Sequence, residues 1–140
     1  MRELIPAANR KKGSICSNDI SVPIETIPEF VTKLDKSISL FSKDFLVNCF
    51  GHVGDGNLHY NIFPVSENTR ANLEKKRLQL LNIVNDLVHK YSGSISAEHG
   101  IGRLKVSELN KFEDPGKVYM MRLIKSVVDP KNLLNPGVIF

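Results

Sequence analysis

Phe45-Leu46-Val47-Asn48-Cys49-Phe50-Gly51-His52-Val53-Gly54-Asp55-Gly56-Asn57-Leu58-His59-Tyr60-Asn61-Ile62-Phe63 is the stretch on which the fold turns. Its two histidines are separated by glycines and by Asp55-Gly56, a turn-forming pair. They cannot share a helix face, because helical neighbours recur three or four residues apart and glycine disfavours the helix. Apolar Phe45, Leu46, Val47 and Phe50 lead in, and Tyr60, Ile62 and Phe63 lead out, so the pattern predicts a β-hairpin. His52 and His59 then face each other across its mouth.

Upstream, residues 2–12 read as a helix with Leu4, Ile5 and Ala8 on one face and Gly13 as its stop. Residues 15–24 alternate as a strand that ends near Pro23, with Ile20 and Val22 on one side. Thr26 and Glu29 have the spacing of a capping box for a helix whose Ile27, Phe30, Val31, Leu34, Ile38 and Phe41 form one apolar stripe. After the hairpin, Asn68 or Thr69 starts a helix running to Tyr91, with Leu73, Leu80, Val84, Leu87 and Tyr91 inward and Gly93 as its stop. Ile95-Ser96-Ala97 alternates as a last strand.

Strand, helix, strand, strand, helix, strand is the order of a ferredoxin-like α+β fold, an antiparallel sheet with helices on one face. Two further helices are expected, one after Arg103 and one from Asp114-Pro115 through Val128, followed by an extended tail from Asp129 to Phe140. The 140 residues, 41% of them hydrophobic, suffice for one domain with one core over residues 1–140.

Neutral imidazoles bind zinc and its first-row neighbours, and two histidines with one carboxylate form a recurrent catalytic set that leaves a coordination position open. Glu98 is the expected third ligand beside His52 and His59, because it stands where a strand ends and Gly100-Ile101-Gly102 lets the chain turn sharply. His99 follows it and stays available for acid–base work. The bland alternative is that these histidines merely line a glycine-rich loop; the coincidence of two histidines, a Glu-His pair and clustered glycines argues against it. Asp19 reads as structural, the Lys75-Lys76-Arg77 run as a solvated face, and His89 as a surface histidine.

His52 through His59 with Tyr60-Asn61, then Glu98-His99-Gly100-Ile101-Gly102, resemble the signature of the FAD-linked oxidase C-terminal domain. The resemblance runs from Arg2 through Asp19-Ile20-Ser21-Val22-Pro23 to Asp129-Pro130 and Asn135-Pro136-Gly137. That family includes D-lactate, glycolate and D-2-hydroxyglutarate dehydrogenases. The resemblance implies oxidation of a D-2-hydroxy acid to the 2-oxo acid, with hydride passing to FAD. The flavin would be held by an FAD-binding domain or subunit outside this chain, which then reads as the terminal portion of the enzyme.

It further implies a divalent metal (Zn, Mn or Fe) on His52, His59 and Glu98, His99 as base, and Arg2 and Asn61 as contacts to the substrate carboxylate. Where similar 2-hydroxyglutarate dehydrogenases have a lysine and a threonine for the distal carboxylate, this chain has Ser17 and Pro6. Those departures point to a smaller substrate of the glycolate or D-lactate type.

The net charge of +4 comes from cations dispersed among acids, without a basic stripe interleaved with aromatics, which argues against nucleic acid as a partner. Cys16 and Cys49 lack metal-type spacing and read as reduced packing thiols of an intracellular protein. With neither a signal-peptide core nor a membrane-length apolar run, the expectation is a soluble, cytoplasmic chain. The apolar tail wants a surface to cover, and left exposed it favours self-association, in the simplest case a homodimer. Two rival readings remain at this level. One is a non-catalytic metal-binding fragment that needs a separate FAD-binding partner. The other is a small metal hydrolase, disfavoured by the lack of a helical HExxH pattern.

Overall fold

In the computed structural model, which describes residues 4–140, β2 (Phe45–Phe50) and β3 (Asn57–Pro64) pair antiparallel, with Phe45 opposite Pro64 and Phe50 opposite His59. The other edge of β3 pairs with β1 (Cys16–Ser21), which sets Asp19 opposite His59 and gives the order β1-β3-β2. Side chains alternate across a strand, so the register sorts the sheet into two faces. Cys16, Ile20, Leu58, Tyr60, Ile62 and Phe45 share one face and are buried in the core. Asp19, His59, Asn61, Asn48 and Phe50 share the other.

Two helices cover the apolar face. The stripe of α2 (Ile27–Phe41) buries Ile27, Phe30, Leu34 and Ile38, and α4 (Arg77–Lys90) buries Leu80, Val84 and Val88 in the same cluster. Each such side chain contributes about 1.5–3 kcal/mol of transfer free energy. The helix α1 (Leu4–Lys12) buries none of its residues; Leu4 and Ile5 are exposed. It lies instead against the polar face, where Asn48 Nδ2 donates to Asn9 Oδ1 at 3.0 Å and the Lys12 ammonium sits 5.5 Å from the Phe63 ring.

Local chemistry alters four of the expected details. Ile95-Ser96-Ala97 adds no fourth strand; one antiparallel bridge joins Ser94 to Ser21 on the outer edge of β1. The Ser94 hydroxyl donates to Ser96 O at 3.0 Å and accepts from Ser96 N–H at 3.2 Å, and this side-chain turn competes with continued pairing. The long second helix is divided into α3 (Arg70–Glu74) and α4, with the Lys76 amide bonding three residues back to Leu73 O among three adjacent cations.

The capping box does not close. Thr26 has helical backbone angles after a 3-10 turn, and its hydroxyl donates to Pro23 O at 2.7 Å. At the end of α4 the left-handed residue is Ser92 (φ 53°), whereas Gly93 is needed because a β-carbon there would stand 2.2 Å from Ser21 O.

The chain divides into two compact units, the first ending at Glu98 and the second running from His99 to Phe140. In the second, the backbone turns through positive φ at Gly100 and Gly102, as expected. Then α5 (Val106–Phe112) and α6 (Pro115–Val128) bury Leu109 and Val118. Asp114 caps α6, its carboxylate accepting Lys117 N–H at 2.8 Å. The tail has no helix or strand; the Asp129 carboxylate accepts the amides of Leu133 and Leu134, each at 2.9 Å, and pairs with Lys125. Among the described residues no helix is long and apolar enough to cross a membrane.

Candidate metal centre

His52 stands two positions beyond the end of β2, and its carbonyl anchors the turn by accepting Asp55 N–H at 2.9 Å and Asn57 N–H at 3.2 Å. Val53–Asp55 forms a 3-10 turn that closes on Gly56 at φ 73°. That angle suits glycine, and a β-carbon on Gly56 would also lie 2.3 Å from Val22 O. Gly51 has no room either, since a β-carbon there would meet Asn57 O at 2.2 Å. The glycines therefore let the two arms of the hairpin close tightly, and this brings His52 beside His59, their ring centroids 6.4 Å apart.

Glu98 completes the group. Its Oε1 lies 2.7 Å from His52 Nδ1 and its Oε2 lies 3.7 Å from His59 Nε2, so each imidazole faces its own carboxylate oxygen. One donor atom from each of the three residues falls within 4.8 Å of the others. Ligands about 2.0–2.2 Å from a common ion stand roughly 3–3.5 Å from one another, which small side-chain rotations would reach. The donor set thus fits a divalent metal of the zinc, manganese or iron kind. The His52 and Glu98 side chains are 48% and 40% exposed, and this leaves an open side for a small oxygen ligand.

Two polar residues of this arrangement were not named as site residues from the sequence. Asn57, which is buried, donates from Nδ2 to Glu98 Oε1. Asp19, 5% exposed, accepts Glu98 N–H at Oδ2 (2.9 Å) and stands 3.7 Å from His59 Nδ1 at Oδ1. The signal available beforehand was a charge inside a strand whose neighbours Ile20 and Val22 are core, since a buried carboxylate is costly without partners.

The remaining sequence candidates fall as follows. Asn61 lies two residues beyond His59 on the same face of β3, buried, its Nδ2 donating to His59 O at 3.4 Å. His99, next after Glu98, is exposed and begins the second unit. Arg2 lies outside the described residues. Cys16 and Cys49 are free thiols, and burial pushes each up to about 11.

Compared with known proteins, residues 1–139 match the family described as FAD linked oxidases, C-terminal domain. A D-2-hydroxyglutarate dehydrogenase of Stutzerimonas stutzeri (strain A1501) is 39% identical over 123 residues, covering 88% of this chain and 26% of that protein. The mitochondrial D-2-hydroxyglutarate dehydrogenase of Arabidopsis thaliana is 36% identical over 140 residues, covering 97% of this chain and 23% of that protein. The mitochondrial D-2-hydroxyglutarate dehydrogenase of Danio rerio is 35% identical over 140 residues, covering 97% and 24%. The chain thus spans about a quarter of the length of these curated relatives.

Proposed function

Given that the chain belongs to the family of FAD-linked oxidases, C-terminal domain, we propose that it supplies the substrate site of an FAD-dependent dehydrogenase that oxidises a D-2-hydroxy acid to the 2-oxo acid. The observation that carries the reading is the convergence of one ligand atom each from His52, His59 and Glu98 within 4.8 Å of one another, in a chain of this family. A divalent ion bound there supplies Lewis acidity, which lowers the pKa of an alcohol. FAD, when bound, supplies the hydride acceptor; we assign it to an FAD-binding domain or subunit and to no described residue.

The roles of the chain's own residues follow from their chemistry. His52, His59 and Glu98 hold the metal. Asn61, on the same sheet face as His59, donates from its amide to the substrate carboxylate, and Arg2 offers that carboxylate a planar bidentate fork. His99, one peptide bond from Glu98, takes the hydroxyl proton; a base of this kind contributes about a hundred- to ten-thousand-fold in rate.

For the substrate's tail, Ser17 stands opposite Asn61 in the register, a neutral hydroxyl where the resembled dicarboxylate enzymes have a lysine. This favours a monocarboxylate of the glycolate or D-lactate type. The names of the three relatives favour the second reading, D-2-hydroxyglutarate.

The test is turnover by the chain together with its FAD-binding part, using an artificial electron acceptor, before and after chelation. D-lactate or glycolate outpacing D-2-hydroxyglutarate supports the first reading, and the reverse order supports the second. Activity untouched by complete metal removal would overturn the metal site. His99→Ala is expected to keep the metal and lose turnover, and His52→Ala to lose both; elemental analysis beside flavin-reduction kinetics separates them.

A further inference from the structure

The two carboxylate oxygens of Asp19 are divided between two members of the His52, His59 and Glu98 trio. Oδ2 accepts the backbone N–H of Glu98 at 2.9 Å, and Oδ1 stands 3.7 Å from Nδ1 of His59, directly opposite in the strand register. We propose that Asp19 is a positioning residue of the metal centre, holding Glu98 through its main chain and keeping His59 in the tautomer whose Nε2 lone pair faces Glu98. The inference rests on the metal reading above and deepens it.

Three features support the assignment. A carboxylate that is 5% exposed is costly to bury unless its oxygens are bonded, so its position in the sheet interior has to be compensated. The segment carrying Glu98 has lost its ladder: beyond the Ser94 bridge it is tied to β1 by the Asp19 carbonyl, which accepts Ala97 N–H at 3.3 Å, and by the Asp19 carboxylate. Finally, a neutral imidazole has one N–H and one lone pair, and a carboxylate facing Nδ1 selects Nδ1–H. The lone pair then sits on Nε2, the atom 3.7 Å from Glu98 Oε2. Metal-ligating histidines characteristically give their second ring N–H to such a carboxylate.

Asp19→Asn tests this while nearly preserving shape. An amide has one oxygen; if it stays on Glu98 N–H, the NH2 group faces His59 Nδ1 and draws its lone pair, which turns the ring to Nε2–H. Ring-nitrogen NMR on the metal-free full chain, above the pH range of imidazole protonation, reads the His59 tautomer, with His59→Gln for assignment. Zinc affinity is measured separately by chelator competition.

The expected results are Nδ1–H in the wild type, a shift toward Nε2–H in Asp19→Asn, and zinc affinity about 10–100-fold lower in the variant. An Nε2–H tautomer in the wild type, or unchanged zinc affinity in Asp19→Asn, overturns the proposal and leaves the metal reading standing. A wild type that binds neither zinc nor manganese, yet shows the tautomer shift, sinks the metal reading and supports the hold of Asp19 on His59. Should the variant fail to fold, the wild-type tautomer alone decides.

Discussion

His52 Nδ1 and Glu98 Oε1 lie 2.7 Å apart although they stand 46 positions apart in the chain. Asn57 donates to that same carboxylate oxygen, while the other oxygen turns toward His59 Nε2. One carboxylate therefore addresses both imidazoles, with its orientation set from the hairpin by Asn57 and from β1 by Asp19.

Asn57→Asp replaces a buried donor with a second carboxylate against Glu98 Oε1. Without metal, the variant should lose about 1–3 kcal/mol, the cost of a buried polar group left unmatched. Zinc or manganese should restore part of that loss, because a dication offsets the added charge. Urea unfolding with and without metal measures both effects, and a metal-free variant as stable as the wild type would contradict the geometry.

Gly56→Ala and Gly54→Ala should behave oppositely, although only Asp55 separates them. At Gly56 the new methyl meets Val22 O at 2.3 Å on a backbone at φ 73°, so a loss of roughly 2 kcal/mol or more is expected from strain and clash together. At Gly54 nothing lies within 4 Å, and the change should stay within about 0.5 kcal/mol. Midpoints of chemical denaturation decide it; equal midpoints would mean that the turn is not closed as described.

Cys16 and Cys49 should resist thiol reagents in the folded protein. Burial pushes both up to about 11, so about one thiol in ten thousand is ionised at neutral pH. Labelling with an aromatic disulfide should be slow until denaturant is added and then complete at both positions. Fast labelling of Cys16 in the native state would contradict its place in the core.

Acid should loosen the start of the tail. The Lys125 ammonium beside Asp129 is the main reason its carboxyl titrates below the ordinary range, and the amides of Leu133 and Leu134 add to the effect. A carboxyl whose folded pKa is depressed contributes stability that is fully present above its unfolded value, about 3.9, and is lost as pH falls through the folded value. Exchange protection at the Leu133 and Leu134 amides should therefore fall in that acid window, after correction for intrinsic rates. Asp129→Asn should reduce protection at neutral pH and flatten the dependence. A wild-type profile without that step would rule out the cap.

The hairpin, the first strand, the apolar stripes of α2 and α4 and the trio of His52, His59 and Glu98 were all legible in the sequence. They rest on local rules: alternation along a strand, helical spacing, and the turn chemistry of Asp55-Gly56. Which groups surround the trio was decided only by the tertiary structure. Asp19 reached His59 because β1 pairs with β3 in one register, and a slip of one residue would have sent its carboxylate to the apolar face. The short final bridge at Ser94 and the division between α3 and α4 were likewise settled by competing hydrogen bonds at Ser94–Ser96 and Lys76. Periodicity specifies which face a side chain takes, but the partner it meets there comes from a distant segment, and only the folded register brings the two together.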